Sequence, residues 1–111
     1  MLGPRDRRNL ENVHPDLRRV IERAAKEGPV PFLVGNPTQR QDDPRYGSGH
    51  AIDLYPLLGK PVTALRRTDF LHLVAAVRLA ARQEAVAMVH GADHGSATPA
   101  CQALDPAAYP S

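Results

Sequence analysis

The chain has 111 residues, enough for one small domain with a single core and too few for two independent domains. Hydrophobic residues make up 42% of it, yet no run approaches the roughly 18 apolar residues of a membrane-spanning helix. The formal net charge of +2 is spread along the chain, which fits weak attraction to an anionic polymer without specifying one.

The cysteine content bears on how the fold is stabilised, and the first residues bear on whether the chain carries a secretory signal. The single cysteine, Cys101, excludes an intramolecular disulfide, so the fold has to rest on packing, or on packing with a metal. Residues 1–8 are polar and lack the apolar core of a secretory signal. We therefore expect cytoplasmic synthesis without a signal peptide.

The first half of the chain predicts one helix and one strand. Residues 1–11 are polar and rich in arginine, which predicts a flexible N-terminal arm before a domain over residues 12–111. Apolar residues at helical spacing follow Pro15, and Gly28 predicts the end of this helix. Residues 30–34 form a short apolar run typical of a strand, and residues 35–48 predict a loop.

The second half predicts three strands and a longer helix. A strand is expected over residues 50–54, and a surface segment over residues 55–67. Thr68 is expected to cap a helix that runs to Gln83, and apolar runs at 85–89 and 101–104 predict two more strands. The order of elements predicts a small α+β domain, with two helices packed on one face of a short, mainly antiparallel sheet.

Two segments carry the most specific signal in the sequence. The first runs from Tyr46 through Gly49-His50-Ala-Ile-Asp53-Leu, and the second runs from Thr98 through Cys101 to Leu-Asp-Pro. The first resembles the His-x-x-Gly-x-Ala-x-Asp-Leu motif of VanY-like D-alanyl-D-alanine carboxypeptidases and phage L-alanyl-D-glutamate endolysins. The second resembles the Asp-x-Pro-His-Phe-x-Leu-Asp-Pro segment of the same family. The resemblance covers most of the chain from Asn9 onward and implies a hedgehog/DD-peptidase-like fold.

The resemblance also implies a zinc site in which ligands have been exchanged. Asp53 stands at the position of the ligand Asp, while Tyr46 and Cys101 stand at the two ligand His positions. Thr98 stands at the position of the catalytic acid, and Arg40 is the candidate for binding the substrate carboxylate. A catalytic zinc needs three ligands, a bound water and a nearby carboxylate to move the proton. Threonine cannot supply that proton shuttle.

Other histidines are candidates to rebuild the ligand set. His90 and His94 lie close together in a Gly-rich stretch, and His50 lies beside the first motif. A pair in such a loop is more often solvated, and His50 occupies a position that does not bind metal in the family. Cys101 can equally be a small buried apolar residue.

Two functions remain open at this point. In the first, the chain is a degenerate peptidoglycan peptidase domain without hydrolytic activity or zinc. It would act as a binding or structural module, phage-encoded, virion-associated or released to the cell wall, with a peptidoglycan peptide or another protein as partner. In the second, it is an active zinc peptidase that cuts short peptidoglycan stem peptides, with Asp53, Cys101 and one of His50, His90 or His94 as ligands. The arginine pairs lack aromatic interleaving, which disfavours nucleic acid.

Overall fold

In the computed structural model, which describes residues 2–39, 43–91 and 98–110, the described residues form four α-helices and four β-strands. The helices are α1 (Pro4–Asn9), α2 (Pro15–Glu27), α3 (Pro44–Gly47) and α4 (Arg67–Glu84). The strands are β1 (Phe32–Val34), β2 (Ala51–Pro56), β3 (Met88–His90) and β4 (Cys101–Leu104). Short 3-10 turns occupy Pro37–Gln39 and Val62–Ala64.

The four strands form one antiparallel sheet in the order β1-β2-β4-β3. Side chains alternate between the two faces along each strand, and paired residues share a face. Ile52, Leu54 and Leu104 point toward α2 and α4 and join their buried apolar residues in the main core. The predicted α+β class, with its two long helices on one face of an antiparallel sheet, is confirmed.

Local signals explain where the two long helices begin and which face they bury. Pro15 occupies the first turn of α2, and the His14 Nδ1 accepts a hydrogen bond from the Asp16 N–H at 3.0 Å. At the start of α4 the Arg66 N–H donates to the Asp69 carboxylate at 2.8 Å. The apolar stripes of both helices are fully buried: Leu17, Val20 and Ile21 on α2, and Leu73, Val74 and Val77 on α4.

The predicted flexible arm over residues 1–11 does not match the structure of residues 2–11. Residues Pro4–Asn9 form α1, and the Asp6 Oδ1 accepts a hydrogen bond from the Val34 N–H at 2.9 Å. The Asn9 amide donates to the Val34 carbonyl at 3.0 Å, and Leu10 is buried in the main core. Helix α1 therefore covers the outer edge of β1, where backbone groups would otherwise be unpaired.

Several predicted boundaries also shift. Helix α4 begins at Arg67 rather than after a Thr68 cap, because the Asp69 side chain binds the Arg66 backbone instead. Strand β3 begins at Met88 rather than Ala85, since Ala85 ends α4 with a left-handed φ of 57°. The loop predicted for residues 35–48 contains the short helix α3. No helix in the described part of the chain is long and apolar enough to cross a membrane.

Candidate functional site

A buried polar cluster lies on the sheet face opposite α2 and α4. Strands β2 and β4 are neighbours, and their register pairs Asp53 directly with Cys101. Paired residues project from the same face, so the carboxylate and the sulfur lie side by side. Asp53 is only 4% exposed and Cys101 is fully buried, which makes this an unusual place for a charged group.

Helix α3 brings Tyr46 over this pair. The helix starts after Asp43, whose Oδ1 accepts a hydrogen bond from the Arg45 N–H at 3.0 Å. The chain then turns back into β2 at Gly49, with a φ of +80°. A Cβ at Gly49 would come within 2.3 Å of the Asn12 carbonyl oxygen, so only glycine fits this turn. The short connection places Tyr46 above the first residues of β2.

The Tyr46 hydroxyl links the two other members of the cluster. It donates a hydrogen bond to the Asp53 Oδ1 at 2.6 Å, and it also hydrogen-bonds with the Cys101 side chain. Burial raises the pKa of the Tyr46 phenol far above its usual value, and the hydrogen bonds to Asp53 and Cys101 raise it further. The phenol therefore stays neutral and acts as a donor to the carboxylate.

The surroundings of the cluster are apolar and closely packed. Ala51 and Ala103 are fully buried beside it, and the Tyr55 hydroxyl lies 3.5 Å from the second carboxylate oxygen of Asp53. Gly35 passes over β2 and donates its N–H to the Asp53 backbone carbonyl at 2.8 Å. A Cβ at Gly35 would lie 3.2 Å from both the Asp53 Cβ and the Tyr55 ring, so glycine permits this close approach.

Arg45 is the cation nearest in sequence to the cluster, and its main partner is a carboxylate outside the cluster. Its guanidinium forms an ion pair with the Asp43 carboxylate at 2.6 Å. That hydrogen bond raises the pKa of Arg45 above its usual value. Asp43 therefore serves both to start α3 and to hold the arginine that precedes Tyr46.

Comparison with known proteins identifies the fold to which this site belongs. No family model matches the chain, and no curated protein does. Among solved structures, the crystal structure of the Serratia marcescens L-Ala D-Glu endopeptidase ChiX superimposes with a TM-score of 0.83. It is 26% identical in sequence, and the match covers 97% of this chain and 92% of that chain. The chain has the VanY/endolysin-like peptidase fold. The fold expected from the two motifs is thereby confirmed.

A VanY/endolysin-like peptidase fold implies a zinc site, and the side chains of Tyr46, Asp53 and Cys101 do not form a donor set that fits one. Catalytic zinc takes its protein ligands from histidine, cysteinate and carboxylate groups and leaves one position to water. Here the counterpart of one ligand is a neutral phenol whose hydroxyl is bonded to the carboxylate that would bind the metal. Within residues 2–39, 43–91 and 98–110, no three His, Cys, Asp or Glu side chains are grouped to hold a metal ion.

The structure brings three of the predicted site residues together and separates others. Tyr46, Asp53 and Cys101 form the cluster described above. Thr98 lies one turn before Cys101, where its carbonyl accepts the Cys101 N–H at 3.4 Å and its hydroxyl accepts the Ala100 N–H at 3.2 Å. Arg40 and His94 lie outside the described residues, so their predicted roles stay predictions.

The structure does not bring His90 or His50 into the cluster. His90 pairs with Gln102 across the sheet and bonds to its side chain. Because Gln102 alternates with Cys101 on β4, His90 lies on the opposite face from Asp53. The His50 Nδ1 contacts the Ser48 hydroxyl at 2.8 Å, and its ring lies 5.6 Å from that of His14. Strand alternation, rather than sequence distance, separates His90 from Asp53.

One residue of the site was missed in the sequence. Tyr55 follows Asp53 by two positions on β2, so both side chains project from the same face. The alternation of a predicted strand over residues 50–54 would have indicated this if the strand had been extended to Pro56. The cluster thus contains a carboxylate approached by two tyrosine hydroxyls.

Proposed function

We propose that this chain is a degenerate peptidoglycan peptidase domain that keeps the VanY/endolysin-like fold, lacks hydrolytic activity and acts as a binding or structural module. The similarity to an L-Ala D-Glu endopeptidase over almost the whole of both chains supports a peptidoglycan peptide as the class of partner. The zinc-dependent activity of the family is the part that we infer to be lost.

The bond between Tyr46 and Asp53 is the observation that carries this proposal. A histidine at the position of Tyr46 would offer a ring nitrogen to a metal, but the Tyr46 phenol is neutral and donates its proton to the Asp53 Oδ1 at 2.6 Å. The hydroxyl also hydrogen-bonds with the Cys101 side chain, so Tyr46 contacts the two other residues that the resemblance assigns to ligand positions. These hydrogen bonds give the buried polar groups of the cluster the partners that such groups require.

The position of the catalytic acid supports the same conclusion. Thr98 stands there, and its hydroxyl accepts a hydrogen bond from the Ala100 N–H at 3.2 Å. A hydroxyl cannot take a proton from water and pass it to a leaving amine near neutral pH, as a carboxylate can. Even with a metal bound nearby, Thr98 could not carry out the proton transfer.

Metal content and peptide cleavage together test the proposal. The protein would be purified without affinity tags that bind metal, supplied with zinc, desalted and analysed for zinc per chain. It would then be incubated with a stem peptide that contains the L-Ala–D-Glu bond, with the Serratia endopeptidase as positive control. We expect far less than one zinc per chain and an intact peptide by mass spectrometry. One zinc per chain with steady cleavage would establish the active-peptidase alternative instead.

Binding of the uncut peptide separates the two roles left to an inactive domain. The peptide would be added to the isotope-labelled protein and followed by NMR. Chemical-shift changes confined to backbone amides around Asp53 and Tyr55 would indicate a peptide-binding module. No change at millimolar peptide would leave the structural role, with another protein as partner. This experiment measures binding alone, so it is read separately from the cleavage assay.

A further inference from the structure

The segment between β2 and α4, residues 57–67, presents apolar side chains to solvent. Leu57, Leu58 and Val62 are 48%, 45% and 52% exposed, and every residue from 57 to 64 is exposed. Three large apolar side chains are thus exposed within six positions of the chain. Exposed apolar patches of this kind commonly mark interaction sites.

Backbone hydrogen bonds hold the segment in this outward-facing shape. The Leu57 N–H donates to the Pro31 carbonyl at 2.9 Å, which ties the start of the segment to the residue before β1. The Ala64 and Leu65 N–H groups close the turn at Val62–Ala64, with distances of 2.9 and 3.1 Å to their acceptors. Leu57 is therefore fixed where the segment leaves β2, and Val62 is presented by an ordered turn.

The charges of the segment all have one sign. Lys60, Arg66 and Arg67 lie among the apolar residues, and no acidic residue occurs from position 57 to position 67. The next acid, Asp69, forms an ion pair with Lys60 at 2.9 Å and accepts the Arg66 N–H. Both arginine side chains are exposed. The segment therefore combines two exposed arginines, and a lysine paired with Asp69, with three exposed apolar side chains.

We propose that the 57–67 segment is a docking surface for an anionic lipid bilayer. Leucine and valine side chains enter the boundary between headgroups and acyl chains, while arginine and lysine side chains bind lipid phosphates. Charge complementarity selects this occupant. A soluble anionic polymer would bind the cations but leave the leucines in water, and the segment has no aromatic residue on which a nucleic-acid base could stack. The proposal does not depend on whether the Asp53 cluster is active.

Vesicle binding with and without anionic lipid tests the proposal. The wild-type protein would be sedimented with vesicles of phosphatidylcholine alone and with vesicles containing one third phosphatidylglycerol. We expect binding only to the anionic vesicles. The Arg66→Gln/Arg67→Gln variant should lose roughly 30-fold in apparent partition coefficient, because each basic residue near such a surface contributes about fivefold. Leu57→Ser/Leu58→Ser should lose at least tenfold, whereas Leu79→Ser, at an equally exposed position on α4, should bind as wild type.

A fluorescent reporter distinguishes insertion from surface attraction alone. The chain contains no tryptophan, so Leu58→Trp introduces a single probe within the segment. We expect a blue shift of its emission with anionic vesicles that survives moderate salt, and none with soluble polyglutamate. Binding that is unaffected by the leucine substitutions, or a probe that stays in water while the protein sediments, would overturn the proposal. So would the absence of any binding to anionic vesicles. If Leu57→Ser/Leu58→Ser does not fold, Leu58→Ser/Val62→Ser carries the same test.

Discussion

At the scale of single residues, the Asp53 cluster shows which hydrogen bonds surround a buried carboxylate. Asp53 is 4% exposed, and an unpaired charge at such a position would be costly. The Tyr46 hydroxyl supplies a short hydrogen bond, and the Tyr55 hydroxyl lies 3.5 Å from the other oxygen. Tyrosine is longer than histidine, so its hydroxyl reaches Asp53 directly. A tyrosine at this position therefore fills the site and supplies a hydrogen-bond donor to the carboxylate.

Removing the Tyr46 hydroxyl tests how much its hydrogen bond to Asp53 contributes to the stability of the fold. Tyr46→Phe should lower the free energy of unfolding by roughly 1–3 kcal/mol, because it leaves a buried carboxylate oxygen without its donor. Urea unfolding would measure the change. Tyr109→Phe is the matched control, since that hydroxyl also donates to an aspartate, Asp16, at 2.7 Å but near the surface. If both substitutions lowered the free energy of unfolding equally, burial of the Tyr46–Asp53 hydrogen bond would not increase its contribution to stability.

Restoring histidines tests whether the scaffold still fits a metal. Tyr46→His with Cys101→His should raise zinc affinity by orders of magnitude over wild type, because three ligands would then surround one position. Titration against a zinc-binding dye would measure the affinity, with each single variant as control. Cleavage of a stem peptide should appear only after Thr98→Asp is added, since the proton shuttle is otherwise missing. A double variant that binds zinc no better than wild type would mean that the backbone has moved beyond the ~0.5 Å tolerance of such sites.

At the scale of elements, the accuracy of the sequence-based predictions depends on whether local signals set each boundary. The predicted strand 101–104 matches β4, which is followed by Asp105 and Pro106, and the predicted start of α2 at Pro15 is correct. Helix α1 was missed because it has no apolar periodicity. Its Asp6 and Asn9 are explained by hydrogen bonds to Val34, a partner more than twenty residues away. Long-range polar contacts of this kind leave no periodic trace in the sequence.

The same reasoning applies to the candidate site. The resemblance placed Tyr46, Asp53 and Cys101 at related positions, and the pairing of β2 with β4 explains why two of them are adjacent. His90 was also a candidate ligand in the sequence. Its face was not assigned, because the predicted strand ended at Val89, whereas the observed strand β3 runs from Met88 to His90. The register of a strand, not its composition, decides which residues can meet across a sheet.

An ion-pair clamp between the two long helices makes their packing sensitive to acid. The Glu84 carboxylate at the end of α4 bonds to Arg23 at 2.6 Å and to Arg19 at 3.1 Å, both on α2. The hydrogen bond to Arg23, followed by that to Arg19, lowers the pKa of Glu84 below its usual value. A carboxyl group whose pKa is lowered by folding stabilises the protein above its unfolded pKa and loses this contribution as the pH falls through the folded pKa.

Glu84→Gln should therefore reduce the loss of stability on acidification. Urea midpoints would be measured at pH 7 and at several values below about 4.3, the ordinary pKa of glutamate. We expect the wild-type advantage over the variant to be present at pH 7 and to shrink as the pH falls. Asp16 and Asp69 also have lowered pKa values, so part of the acid sensitivity should remain in the variant. Glu22→Gln, at an exposed position on α2, is the control; parallel curves for wild type and Glu84→Gln would contradict the clamp.

At the scale of the whole molecule, the main core and the Asp53 cluster lie on opposite faces of one sheet. The main core joins α2, α4 and the inner face of the strands, and it includes Leu17, Ile21, Ile52, Leu54, Leu73, Val77 and Leu104. The cluster on the other face consists of Tyr46, Ala51, Cys101 and Ala103 packed around Asp53. Substitution of the polar residues on that face should therefore leave most of the apolar packing of the main core unchanged.

Folding of the unmodified protein should accordingly be independent of metal. We expect a chelator such as EDTA to leave the melting temperature nearly unchanged, because the fold is stabilised by burial of apolar side chains in the main core. The Tyr46→His/Cys101→His variant is the control within the same scaffold. Its melting temperature should rise with zinc and fall again with EDTA, since binding to the folded state alone adds stability by mass action. A large fall for the unmodified protein would show that a metal contributes to its folding and would favour the active zinc peptidase.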